Sequence, residues 1–333
     1  MPPHLHRAAL QDFSDDVRQA LGTLLLSELR ESAWLQAQLG IINGGLGLKD
    51  AAKHAPAAYL ASVWACKDLC ARIDPAFGID DLEEAENFKD ALAELRNSCL
   101  PEANLEFSGR HVTQKHLSSM VDGRVKEELR NVCRGDRAAL AHLNLVSQPC
   151  AGAWLLAPPK DDGRQMETNL FRVALKRWLR MPVLCNDGYC PCCGDLMDTY
   201  GDHALVCSCH GDRTVKHNTI RNIYYDEALA TAWRVEREKA NLLPQRPVED
   251  GIKVETGARR PADVWIPRTG RMSGEALDFA CTSGMRADFM NRTIEDGSAI
   301  FPWYEDFKRS YRDTDQKCAD EGFTISSWKG KTP

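Results

Sequence analysis

Between Cys190 and Cys207 the chain reads CPCCGDLMDTYGDHALVC, and no other stretch limits the fold so narrowly. Cys190 and Cys193 stand three apart, and His203 and Cys207 four apart. Tetrahedral zinc takes four nitrogen or sulfur ligands from short loops, and pairs at both ends of one loop supply them. Gly194 and Gly201 provide the tight turns. Asp202, beside His203, is placed to orient the imidazole. Cys185, Cys192, Cys209 and His210 are rival ligands, so spacing alone leaves the choice of four open. A site with four protein ligands is closed; it folds a loop or grips nucleic acid rather than activating water. The zinc deaminases need H-x-E before P-C-x-x-C, and no such tripeptide precedes PCCGD, so that chemistry is excluded.

Thirteen cysteines would suggest disulfides in a secreted chain. The N-terminal MPPHLHRAALQDF, however, has no apolar h-region, and runs such as LGTLLL are far too short for a bilayer. A nuclear or cytoplasmic protein with no membrane attachment is expected, its thiols serving metal or core. Six of the cysteines crowd between Cys185 and Cys209, which favours metal there. A hydrophobic share of 43% and a charged share of 27% over 333 residues fit a globular chain with room for two domains. The net charge of −6 argues against non-specific coating of nucleic acid, and leaves a local basic groove open.

Residues 12–100 read as helical, with Ser14 as an N-cap and Val17, Leu21, Leu24, Leu25 and Leu29 at helical spacing. GIINGGLGLKDAA breaks the pattern as a loop. The next helix puts Tyr59, Val63, Cys66 and Cys70 on one face, the two thiols reading as core. DDLEEAENFKDALAELRNSC predicts a third helix with an acidic start, and TQKHLSSMVDGRVKEELRNVC a fourth. A polar linker follows AGAWLLAPP, and then a helix with Phe171, Leu175 and Trp178 inward and Lys176, Arg177 and Arg180 outward. After residue 183 come cysteine-rich turns and a helix over HNTIRNIYYDEALATAW. The strands ADVWIP and EALDFACT are joined by RTGRMSG; a last helix ends on Gly322, and FTISSW forms a final strand. The fold class is therefore mixed: a mainly α-helical N-terminal domain, a zinc knuckle, and a small α/β domain.

Two aspartates stand out in that last domain. Asp263 starts an apolar strand, and Asp278 alternates with Leu277, Phe279 and Cys281, sharing its face with Ala276 and Ala280. Small neighbours leave room for a ligand. Carboxylates on neighbouring paired strands can converge on one divalent cation, and magnesium favours such a set.

The order of CCHC knuckle, KHN (Lys216, His217, Asn218), Glu238 before LL, RPAD, and a second aspartate resembles the restriction-like endonuclease region of non-LTR retrotransposons. That region is a member of the PD-(D/E)xK nuclease superfamily, and the resemblance spans roughly residues 185–325. INGGLGLKDAAKHAPAAYLASV is similar to the thumb-like tail behind the polymerase of these elements, and AGAWLLAPP with its following helix to the linker before their knuckle. The implied organisation is a thumb-like helical part over 1–110, a helical linker region over 111–182, the knuckle over 183–212 and a restriction-endonuclease-like domain over 213–330. With no YxDD motif, the chain is expected to be the C-terminal piece of an element polyprotein, without polymerase activity.

The resemblance implies a zinc held by Cys190, Cys193, His203 and Cys207. It also implies Asp263 and Asp278 as ligands of magnesium or manganese, with Glu238 as the preceding helical acid. The superfamily lysine would fall on Ala280; Lys308 in YEDFKRSYRD, with Tyr311 one turn on, is the candidate replacement. Lys216, His217, Asn218 and Arg221 are the candidate nucleic-acid contacts. The expected activity is metal-dependent nicking of DNA, with element RNA as a further partner. The rival class is a zinc-stabilised module that binds nucleic acid or protein without cutting, or an inactive remnant of the element. Its supports are the acidic net charge, the missing D-x-K lysine and the missing polymerase; Ala262 also separates the proline from the aspartate, giving PAD rather than the family's PD.

Overall fold

The computed structural model describes residues 1–74, 76, 79–105, 107, 112–158, 165–207, 209, 212–231, 234–243, 262–267, 273–310 and 314–329. The chain divides into two compact units, Met1–Val183 and Leu184–Pro333. The first is helical. The second holds a cysteine- and histidine-rich hairpin and a small mixed sheet with helices. No helix among the described residues is long and apolar enough to cross a membrane.

Helix α1 (Arg7–Leu25) begins before the expected N-cap, so Ser14 lies buried inside it. Its hydroxyl bonds back to Leu10 O and accepts from the Ala51 amide at 2.9 Å. It therefore supports the start of α3 (Ala51–Ile73), whose own N-cap, Asp50, accepts from Lys53 N at 3.1 Å. Between α2 (Glu31–Gln38) and α3 the glycine-rich break forms a folded loop around the end of α2. Gly44 and Gly47 take positive φ of 84° and 76°. A Cβ on Gly45 would meet the Leu39 carbonyl oxygen at 2.0 Å, so only glycine fits. Gln36 Nε2 donates to Gly44 O, and the Trp178 indole donates to Gly45 O at 3.1 Å, tying the loop to the far end of the unit.

The third expected helix is two: α4 (Ile79–Glu84) and α5 (Glu86–Ser98), separated at Ala85, which adopts extended φ and ψ as the N-cap of α5. Helix α6 (Gln114–Cys133) joins the unit's two apolar clusters through one ladder of i, i+4 positions. Leu117 and Val121 pack with Leu60, Phe88 and Leu95; Val125, Leu129 and Cys133 pack with Leu25, Trp34 and Trp178. Each large side chain so enclosed contributes about 1.5–3 kcal/mol. Cys133 is core, but Cys66 is exposed and Cys70 half-buried, against the expectation of core thiols. Their face of α3 lies past Ala61, the last buried residue of that helix, towards solvent. Beyond α7 (Arg137–Val146) and the short α8 (Ala153–Leu156), helix α9 (Thr168–Trp178) buries Leu175 and Trp178, as its periodicity predicts.

In the second unit, β1 (Gly188–Tyr189) and β2 (Leu196–Met197) form an antiparallel hairpin, followed by the short α10 (Asp202–Val206) and by α11 (Asp212–Ala230). The main sheet has the order β3-β4-β5-β6: β3 (Glu236–Arg237), β4 (Val264–Ile266), β5 (Gly274–Ala280) and β6 (Phe323–Lys329). The first three pair antiparallel and β6 joins β5 in parallel. A parallel partner requires a crossover, here α12 (Met290–Glu295), α13 (Ile300–Ser310) and α14 (Thr314–Asp320). The single last helix of the sequence reading is thus α13 and α14. Residues 311–313, including Tyr311, lie outside the described residues, as do Pro261, His210 and most of the RTGRMSG turn.

Both faces of the sheet are covered, so its strands are apolar nearly throughout rather than cleanly alternating. Val264, Ile266, Leu277 and Phe279 pack with Ile220, Tyr224 and Tyr225 of α11. Trp265, Ala276, Phe323 and Ile325 pack with Cys318 of α14. The Trp265 ring lies across Gly274, where a Cβ would stand 2.3 Å from it.

Candidate functional site

The hairpin turn builds the first site. Cys190 N donates to Asp195 O at 2.7 Å and Gly194 N to Cys190 O at 2.9 Å, closing a turn that needs the positive φ of Gly194 (78°). Cys190 and Cys193 project from this turn, His203 and Cys207 from α10. Their ligand atoms all lie within 4.8 Å of one another. Cys193 Sγ is 3.1 Å from His203 Nε2, and Cys207 Sγ is 3.8 Å from both Cys190 Sγ and Cys193 Sγ. Among the described residues this is the one converging group of three or more histidine, cysteine or acidic ligands. Cys185, Cys192 and Cys209 stay outside it.

The donor chemistry suits zinc: three sulfurs and one imidazole nitrogen, one of the closed structural sets. The Cys193 and Cys192 amides pull the Cys190 thiol down to about 6, favouring the thiolate that zinc binds. Cys193 is pushed up to about 12; the Asp195 amide lowers it, but desolvation and the neighbouring Cys190 and Cys207 thiols outweigh that. Zinc binds thiolates, so metal binding would release protons from the cluster.

Sequence reasoning missed Asp198. Its carboxylate accepts from the amides of Tyr200 (2.9 Å), Asp202 (3.2 Å) and His203 (3.1 Å), fixing the turn that delivers His203. Burial penalises this carboxylate, yet those amides hold it below its ordinary range. An aspartate ahead of a glycine turn is the sequence signal for it.

The second site lies at one end of β4 and β5. Asp263 N donates to Leu277 O at 2.8 Å, and Val264 pairs with Leu277, which sets Asp263 across from Asp278. Asp263 Oδ2 accepts from Phe279 N at 2.7 Å and lies 3.0 Å from His217 Nε2 on α11. His217 Nδ1 in turn faces Asn218 Oδ1 at 3.3 Å. Lys308 reaches in from α13, hydrogen bonding Asp278 Oδ1 at 3.3 Å. Its nitrogen is nearer Oδ2, at 3.0 Å, but out of line for a hydrogen bond, so that buried oxygen has ion-pair contact without a donor.

Burial pushes the Asp278 carboxyl above its usual range; Lys308 opposes the rise and Asp263 adds to it. Burial pushes Lys308 down, but Asp278 more than offsets this and its ammonium is held above the ordinary lysine value. The sheet end is thus a partly desolvated pair of carboxylates, Asp278 ion-paired with Lys308 and Asp263 bonded to His217.

Four of the expected residues, Asp263, Asp278, His217 and Lys308, come together. Glu238 does so only through its backbone, whose amide donates to Asp263 O at 2.9 Å. Its carboxylate pairs with Arg221. The expected helical acid lies instead just past β3 with φ 44°, because its segment pairs with β4 as a sheet edge. Arg221 is buried, also bonding Asn222 Oδ1, so it braces the sheet edge instead of facing a phosphate. Lys216 is exposed and donates to Leu205 O at 3.4 Å, linking α11 to the knuckle. No third acidic, histidine or cysteine ligand converges with Asp263 and Asp278 among the described residues. No protein-family model and no curated protein matches the chain.

Proposed function

We propose that the chain is a metal-dependent DNA endonuclease of the restriction-like type found in non-LTR retrotransposons, with a structural zinc knuckle that positions DNA. The observation that carries this reading is Asp263 across from Asp278 at one sheet end, flanked by His217 and Lys308. Asp278 Oδ2, buried and already facing the Lys308 ammonium at 3.0 Å, is an atom that fits a cation. Asp263 and Asp278 would hold magnesium or manganese, and Cys190, Cys193, His203 and Cys207 zinc. When bound, the divalent cation supplies a Lewis acid and an activated water for phosphodiester hydrolysis.

The chain's own residues orient and stabilise. The Phe279 amide and His217 together fix the Asp263 carboxylate, leaving Oδ1 to face a ligand. Lys308, charged at neutral pH, is placed to stabilise negative charge on the phosphoryl group. Exposed Lys216, beside the knuckle, is placed for the DNA backbone.

One observation favours the second reading, a zinc-stabilised nucleic-acid-binding module without cleavage: Lys308 already neutralises Asp278, and His217 already bonds Asp263, without a metal. Incubation of the full chain with supercoiled plasmid and Mg²⁺ or Mn²⁺ separates the two. Nicking that is lost in Asp263→Ala and Asp278→Ala supports the nuclease. Plasmid binding with no nicking above those controls supports the binder.

A further inference from the structure

The knuckle hairpin is built around its metal ligands, but its outer face is apolar and open. Alternation turns buried Cys190 towards the ligand cluster and the preceding Tyr189, on β1, away from it. Tyr189 is 81% exposed, and Leu196, its partner across the hairpin, is 60% exposed. Cross-strand partners share one face, so the ring and the leucine side chain stand side by side in water. Tyrosine is favoured at interfaces because its apolar body packs while its hydroxyl stays wet. The turn that closes at Gly194 holds this pair in place before any partner arrives, which lowers the entropy cost of binding.

The charge around the pair selects the partner. Residues 184–207 carry four aspartates, Asp187, Asp195, Asp198 and Asp202, and no lysine or arginine. Asp198 is occupied by the amides of its own turn. Asp187 and Asp195 are exposed and flank the pair, Asp187 just before β1 and Asp195 next to Leu196. Asp187 Oδ1 accepts from Thr199 N at 2.8 Å, and neither carboxylate has a cation partner among the described residues. Zinc does not reverse the sign, because three thiolates outweigh its charge. Such a face repels phosphates. A second copy of this chain, with its net charge of −6, brings the same sign. A polypeptide segment with lysine or arginine beside an apolar side chain meets both demands: its cations match the rim, and its apolar group covers the ring.

We infer that Tyr189 and Leu196 form a docking surface for a basic, apolar polypeptide segment, with Asp187 and Asp195 receiving its cations. This goes beyond the nuclease reading, in which DNA contact near the knuckle falls to Lys216 on α11, outside the hairpin.

The test uses the full chain, zinc-loaded and free of chelator, with a fluorescein-labelled peptide of alternating lysines and leucines. The same peptide with serine for leucine, or with glutamate for lysine, separates the apolar from the charged contribution. We expect the lysine-leucine peptide to bind tightest. Tyr189→Ser should weaken it roughly 5- to 30-fold, and Tyr189→Phe should keep it. Asp187→Asn with Asp195→Asn should weaken it and flatten its salt dependence. Asp12→Asn with Asp16→Asn, an equal charge change on exposed positions of α1, should leave it unchanged. Zinc analysis and circular dichroism verify that each variant keeps its metal and fold. No binding, equal binding of the lysine-serine peptide, unchanged binding in Tyr189→Ser, or an equal loss in the α1 control overturns the surface. A labelled single-stranded oligonucleotide that binds tighter than the peptide, and is lost in Tyr189→Ser, assigns the face to nucleic acid and overturns it too. Plasmid nicking is read separately: peptide docking without nicking sinks the nuclease and leaves the surface, and nicking without docking does the reverse.

Discussion

Lys308 Nζ stands 3.0 Å from Asp278 Oδ2, although the two residues are thirty positions apart in the chain. The lysine comes from a crossover helix and the acid from the strand that the crossover leaves, so the pair exists only because β5 and β6 run parallel. A lysine two residues past the acid, on the strand itself, would have needed no crossover; that position is Ala280.

Burial raises the Asp278 carboxyl above its ordinary value, and Lys308 works against the rise. Between the unfolded and folded pKa the native state binds the extra proton, so stability falls as pH rises through that window. Asp278→Asn should remove this slope, seen as a wild-type minus variant difference in urea midpoint that shrinks from neutral to acid pH. In a nicking assay, Lys308→Met should move the acid limb of the rate to higher pH and lower the plateau. An unmoved limb would mean that Asp278 is not the titrating group.

His142 is buried and held at about 3, by burial first and by Arg180 next, while facing Trp178 O at 3.1 Å. Its folded pKa lies below its unfolded one, so its neutral form is favoured. The stability it contributes is present above about pH 6.5 and lost as pH falls towards 3. The loss is on the order of a few kcal/mol. His142→Gln should flatten that decline between pH 7 and 5 in chemical denaturation; an equal decline in both proteins would refute this assignment.

The knuckle should bring one zinc per chain, measured by metal analysis of protein purified without chelator. Cys190→Ser with Cys193→Ser should leave no tightly bound zinc, since the thiolates are gone. A chelator should lower the thermal midpoint of the wild type and not of the variant. One zinc retained in the double variant would show that Cys192, Cys209 or Cys185 ligate instead.

Gly45→Ala should destabilise the helical unit by about 3 kcal/mol or more, because its Cβ would stand 2.0 Å from the Leu39 carbonyl oxygen and neither is a movable side chain. Gly47→Ala meets no neighbour but strains a φ of 76°, and should cost about 1–2 kcal/mol. Urea unfolding of both variants checks the order; a smaller loss at Gly45 would show that the loop relaxes.

Periodicity was enough to place α9, α11 and the three strands, because buried faces repeat at 3.6 or 2 residues and the sequence carries that repeat directly. The candidate metal cluster was legible in the same way, since a hairpin of fixed length brings Cys190 and Cys193 together by local turns, but only the fold separates the converging four from Cys185, Cys192 and Cys209. Local signals failed where the partner lay elsewhere. Ser14 looks like a cap for its own helix and instead supports α3, and Glu238 looks helical and instead edges the sheet beside Arg221. Strand register decided that Asp263 faces Asp278, and the crossover decided that Lys308 reaches them. Those contacts span 15 and 30 residues, through segments whose own propensities say nothing of where they end. Local residues specify local turns; the meeting of distant side chains is set by which apolar faces bury against each other.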